Sequence, residues 1–207
     1  MKVIAILLLF LTSVSCETQN ENKYDKFYAA LNEVLSVNYK GRIIVSNLLK
    51  TESKDYFEKY IDEKGDTSII HLQIPEFTVS YGKSFFLDIY RKRIIDSNDV
   101  VYMHSQIDTL KKIKLEQKKV KNMLVDAKVL FNVIDNFNGD EALAMEKQYN
   151  ASGYVMVSKP VFSKDMNTIL FDINYYCGNL CGHGKTYILK KKRNKWTIIE
   201  SESKWIR

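Results

Sequence analysis

Apolar positions change their period several times along this chain. Residues 3–11 form one unbroken apolar run, and residues 17–23 are polar or charged without any period. Tyr24, Phe27, Tyr28, Leu31, Val34 and Leu35 then recur at spacings of three and four, which predicts an amphipathic helix ending near Tyr39-Lys40-Gly41. From residue 42 to 95 the signal is mixed. Ile43-Ile44-Val45 fits a strand or the start of a helix, residues 55–63 read as helix, and Gly65-Asp66 reads as a turn. Residues 68–72 and 85–90 read as extended, with Pro75 and Gly82 as breaks between them. Ser97-Asn98-Asp99 offers side chains that accept from the free amides of a first helical turn, and Val100, Met103, Ile107 and Leu110 follow on one face. A second helix is predicted over residues 120–134, then a polar break at 135–140 and a short helix over 141–149.

The last third reads as sheet. Ile169, Phe171, Ile173 and Tyr175 alternate with Leu170, Asp172, Asn174 and Tyr176, the period of a strand with two different faces. Residues 153–157, 185–191 and 195–202 are also extended by pattern, and turn residues separate the segments at 163–167, 178–180 and 193–194. Such short connections predict an antiparallel meander of about four strands. The expected fold class is therefore α+β: a helical N-terminal two-thirds covering one apolar face of a C-terminal meander.

The N-terminal run carries an address. Lys2 precedes the apolar stretch, and Ser13-Val14-Ser15 place small or modest residues before Cys16, the plan of a secretory signal peptide. The cysteine and the polar stretch after it resemble a bacterial lipoprotein signal, although Ser13 stands where that family has leucine. The resemblance implies lipidation at Cys16 after removal of residues 1–15; the aperiodic polar stretch then reads as a tether within 16–23, and the remaining length fits a single domain over 24–207. It also implies a membrane partner through the lipid, and an envelope location, the outer membrane if the source is a diderm bacterium. Nine strongly apolar residues are too few for a transmembrane helix, which needs about 20.

Composition supports a folded domain, with 45% hydrophobic residues, 12% aromatic and only two prolines. The net charge of +6 concentrates in Lys111-Lys112-Ile113-Lys114 with Lys118-Lys119-Val120-Lys121, and in residues 190–195. In an exported chain these runs argue against nucleic acid. They fit solvated faces, or contact with lipid headgroups, wall polymers or an acidic partner.

One dense motif remains, Cys177-Gly178-Asn179-Leu180-Cys181-Gly182-His183-Gly184, at a predicted hairpin. With Cys16 committed to lipid, two thiols are left, and an oxidising compartment favours a disulfide between Cys177 and Cys181. Two free thiols are the first alternative, and a metal site of Cys177, Cys181 and His183, completed by His71, His104 or water, is the second. The cysteine spacing departs from the redox motif. Residues 134–145 fail as a calcium loop, because Ile134 and Met145 fall on its first and last ligand positions. No nucleophile motif occurs, so no catalytic residue and no cofactor is assigned.

The C-terminal residues Ser158 to Ser163, Tyr176 to Gly182, Lys195-Trp196 and Trp205-Ile206 resemble the end of small lipoproteins of diderm bacteria. That resemblance implies a place and a fold and brings no reaction. The final hairpin is also similar to the end of NTF2-like domains, in which a first helix is followed by a curved antiparallel sheet. The expected function is a non-catalytic envelope lipoprotein that binds a protein or glycan partner, as an accessory, immunity or inhibitor factor. An envelope hydrolase or metal/thiol protein built on the Cys-His loop is the alternative.

Overall fold

The computed structural model describes residues 23–52, 57–61, 67–71, 78–107, 113–178 and 180–206. The signal stretch, Cys16 and most of the tether lie outside the described residues, as do Gly65-Asp66 and Pro75.

Among the described residues a mixed sheet of seven strands organises the fold. Its members are β1 (Ile43–Val45), β6 (Leu124–Val125), β7 (Tyr154–Val157), β8 (Val161–Phe162), β9 (Thr168–Gly178), β10 (Cys181–Lys192) and β11 (Lys195–Ile206). They follow the order β11-β10-β9-β7-β1-β6, and β8 pairs with β9. Strand β1 runs parallel to both β6 and β7, while β7, β9, β10 and β11 are successively antiparallel. Two further pairings stand outside this sheet: β2 (Lys50–Glu52) parallel to β5 (Thr78–Ser80), and β3 (Phe57–Ile61) antiparallel to β4 (Thr67–His71). The described helices are α1 (residues 23–38), α2 (Lys83–Arg91), α3 (Ser97–His104), α4 (Ala127–Asn136) and α5 (Glu141–Tyr149).

Successive residues of the central strands enter two different cores. Ile43 and Val45 of β1, Tyr154 and Met156 of β7, Leu170 of β9 and Ile188 of β10 pack with residues of α2 to α5. Ile44, Val155, Val157, Ile169, Phe171, Ile173, Tyr187 and Leu189 pack on the other side with Phe27, Leu31, Val34 and Leu35 of α1. The sheet is thus covered on both faces, as strands with parallel neighbours require.

This corrects the expected architecture. The class is α+β, but the sheet is mixed, and β1 and β6 bring segments of the first two-thirds into it. Parallel β6 and β7 flank β1 and are joined through α4 and α5, a helical crossover that short-turn reasoning overlooked. The same parallel pairings set the sheet apart from the antiparallel one that the NTF2-like alternative implied. Locally, residues 85–90 are helix: Phe86 and Ile89, three apart, turn into the core, whereas a strand would have placed them on opposite faces. Strand β3 occupies part of the stretch expected to be helical at 55–63. Helix α4 starts only at Ala127, because Asp126 caps it and Leu124–Val125 are drawn into the sheet beside β1.

Candidate functional site

The glycine-rich motif forms the β9-β10 hairpin, and its register slips between Cys181 and Gly182. Gly178, with φ +137, adopts the backbone region that favours glycine as the chain turns. Cys177 and Cys181 face each other across the turn at disulfide-bonding distance, with Cα atoms 5.0 Å apart.

The glycines that follow have a packing reason. A Cβ at Gly184 would run into the Trp205 indole and Oδ1 of Asn174, and one at Gly182 into the Tyr175 carbonyl and the same indole. Trp205 lies across this bare stretch of β10 and donates its Nε1 proton to Asn174 Oδ1 at 3.3 Å. Beside it a row of rings crosses the sheet: Tyr176 is 5.4 Å from Trp205 and 5.1 Å from Tyr154, which meets Phe131 edge-on. Leu180 at the turn is 90% exposed, and Ile206 at the end of β11, opposite His183 in register and so on the other face from Trp205, is 79% exposed.

On the opposite face, His183 closes a second cluster. Its Nε2 lies 3.2 Å from the hydroxyl of Tyr39, just after α1, and that hydroxyl is 3.1 Å from the hydroxyl of Tyr187. The Tyr175 ring stands 5.5 Å from the imidazole, and the Arg42 guanidinium lies 5.0 Å over Tyr175. Partial burial lowers the His183 pKa below its ordinary value, and the nearby Lys185 charge adds to the effect. Burial also raises the Tyr39 and Tyr187 hydroxyls, which stay protonated. The imidazole is therefore tied to a tyrosine hydroxyl. Among the described residues no three His, Cys, Asp or Glu side chains gather as a metal would need. His104 stands edge-on to Phe86, 6.0 Å away, and His71 lies in β4.

A buried acid escaped the sequence reasoning. Asp172, 3% exposed in mid-β9, accepts hydrogen bonds on Oδ1 from the Tyr81 hydroxyl at 2.7 Å and the Thr186 hydroxyl at 2.6 Å. Its own amide donates to Ser158 Oγ at 2.8 Å. Burial raises the Asp172 pKa, against the pull of the Lys204 charge and the two hydroxyl donors. The signal was legible in principle: a carboxylate between Phe171 and Ile173 in an apolar strand needs built partners. Both proton donors to it are core side chains, so the group ties elements together.

The basic turn and the cysteine hairpin do not form one surface. They sit at the two ends of β10, whose twelve residues at about 3.3 Å each hold them roughly 35 Å apart. Among the described residues no helix is long and apolar enough to cross a membrane. Comparison with protein-family models, with curated proteins and with solved structures finds no match.

Proposed function

We propose that this chain is a lipoprotein of the bacterial envelope, held by an acylated Cys16, whose domain binds a protein partner through its β9-β10 end. Cys177 and Cys181 are oxidised to a disulfide in that compartment, which stiffens the turn carrying Leu180. The observation that carries the binding role is that one end of the sheet carries two strongly exposed aliphatic side chains, Leu180 on the turn between Cys177 and Cys181 and Ile206 on β11 opposite His183. Large apolar side chains left in water together at one end of a domain are what a protein partner covers. A glycan fits less well. Sugar rings stack on free aromatic faces, and Tyr176 has a ring on either side. A non-catalytic role is favoured because His183 and Asp172 are each engaged by tyrosine hydroxyls.

Two experiments test this. Labelling cells with radioactive palmitate should mark the wild-type chain and leave Cys16→Ser unmarked and released from the membrane fraction by a high-salt wash; a variant that is labelled, or that stays bound through the wash, refutes the anchor. Cross-linking in cells from a photoreactive residue at Leu180 should trap one defined protein, and Leu180→Asp should abolish a complex formed through this end. Trapping of peptidoglycan or lipopolysaccharide in its place would reassign the partner to a glycan.

A further inference from the structure

The two ends of the sheet differ in charge as well as in shape. The β8-β9 turn, the β10-β11 turn and the link between α2 and α3 meet at the end away from the cysteines. Lys191 N donates to Asn167 O at 2.7 Å, Lys190 Nζ to Ile94 O at 3.4 Å, and Lys164 N to Asp99 Oδ1 at 2.8 Å. Arg93, Lys164, Lys192 and Arg193 stand there exposed, with Lys191 half-buried beside them, and none of the five forms an ion pair among the described residues. The carboxylates of this end are engaged. Asp88 and Glu200 pair with Arg91 and Lys92, Asp96 and Asp99 cap α3, and Asp165 accepts from Ser163 and Asn167.

The chain joins the described fold at this same end. Lys23, the first described residue, lies 5.1 Å over the Phe162 ring, and its Nζ donates to Gln106 Oε1 at 2.9 Å. Gln106 in turn donates to the Phe162 carbonyl at 2.6 Å, one residue before the β8-β9 turn. Seven steps separate Cys16 from Lys23, and a trans chain covers at most about 3.6 Å per step, so Lys23 cannot be more than roughly 25 Å from the lipidated residue.

We infer that the domain docks on anionic lipid headgroups through this basic end, orienting the cysteine hairpin away from the bilayer. The inference rests on the lipoprotein reading for its biological setting. The electrostatic contact itself does not require the lipid. Unpaired cations within a Debye length of an anionic leaflet are attracted to it, and the attraction weakens with salt. Docking would present Leu180 and Ile206 to partners on the far side.

The test uses the unacylated chain from Glu17 onward, which keeps every described element, with folding checked by circular dichroism. Sedimentation with vesicles of phosphatidylethanolamine and phosphatidylglycerol is compared with sedimentation on phosphatidylcholine vesicles. The chain should bind the anionic vesicles only, and lose binding at high salt. Lys192→Glu/Arg193→Glu should lower the partition coefficient by about tenfold or more. Lys40→Glu/Lys147→Glu, with the same change in net charge away from this end, should leave it nearly unchanged. Equal binding to both vesicle types, or equal loss in both variants, overturns the inference. Palmitate labelling of the full chain reports on Cys16 separately, so the two readings fail independently.

Discussion

The hydroxyl of Tyr81 donates a 2.7 Å hydrogen bond to Asp172, a residue 91 positions later in the chain, inside the core. Tyr81 immediately precedes Gly82, the N-cap of α2, and Asp172 sits in mid-β9, so this bond fixes where α2 begins over the sheet. Thr186 from the next strand donates to the same oxygen at 2.6 Å, which locks β9, β10 and the α2 start together.

Asp172→Ala should therefore be among the most damaging single changes in the chain. It removes the acceptor of two buried hydroxyls, leaving Tyr81 only its 3.3 Å contact with Ser158 Oγ, and a loss of about 2–4 kcal/mol is expected from urea unfolding. Asp172→Asn keeps an acceptor at Oδ1 and should cost less. The pH dependence has a definite sign. With its folded pKa raised, Asp172 holds a proton more tightly in the folded state than in the unfolded one. Its contribution to stability thus falls as pH rises from the ordinary carboxylate range through the raised value. Asn should remove that decline, and an unfolding midpoint whose pH profile matches wild type would count against the buried-acid account.

How much of this was visible beforehand depended on the kind of signal. Helix α1 was legible because its stripe from Phe27 to Leu35 faces one core only. The pattern of β9 was legible because its two faces differ, with Asp172 and Asn174 on one and Phe171 and Ile173 on the other. Strand β1 gave no such contrast, since Ile43, Ile44 and Val45 are all buried, between two helical layers. A continuous apolar run fits a buried strand and a buried helix equally well. The stretch Phe85 to Tyr90 misled in the opposite direction, because its aromatic and branched residues carry strand propensity while tertiary packing made it α2. Nothing local to Tyr39 or His183 foretold their contact, which depends on α1 crossing the sheet to meet β10.

Gly184 and Trp205 form a size-complementary pair across β10 and β11. Gly184→Ala should displace the indole and cost about 1–3 kcal/mol by overpacking, with an altered near-ultraviolet dichroism signal. Combining it with Trp205→Ala should recover part of that cost, since the methyl then enters vacated space. Additive losses in the double-mutant cycle would show that the glycine is needed for another reason.

His183 supplies a test in the opposite pH direction. Its pKa in the folded state lies below the ordinary 6.5, so on acidification the unfolded chain takes up this proton before the folded one does. Stability from the neutral imidazole is full above the ordinary value and is lost as pH falls through it. His183→Gln cannot take the proton, so its urea midpoint should fall less steeply than that of wild type between pH 8 and pH 5. Parallel profiles would mean that the imidazole is not held neutral by its place beside Tyr39.

Reducing the Cys177-Cys181 pair should have a modest global effect and a sharp local one. Only three residues lie between the cysteines, so the closed loop is short and little unfolded-state entropy is removed. About 2 kcal/mol is expected, to be read as a lower unfolding midpoint with reductant or in Cys177→Ser/Cys181→Ser. The fold should survive, because β9 and β10 pair along their length and the Trp205 indole covers Gly182 and Gly184 from the side. What the bridge restrains is the turn itself. Amide exchange at Leu180 and Cys181 should accelerate on reduction while exchange at Ile188 and Leu189, deep in β10, stays slow. If the whole of β10 exchanged faster together, the disulfide would be holding the sheet, and the binding role proposed for a stiffened Leu180 would lose its structural basis.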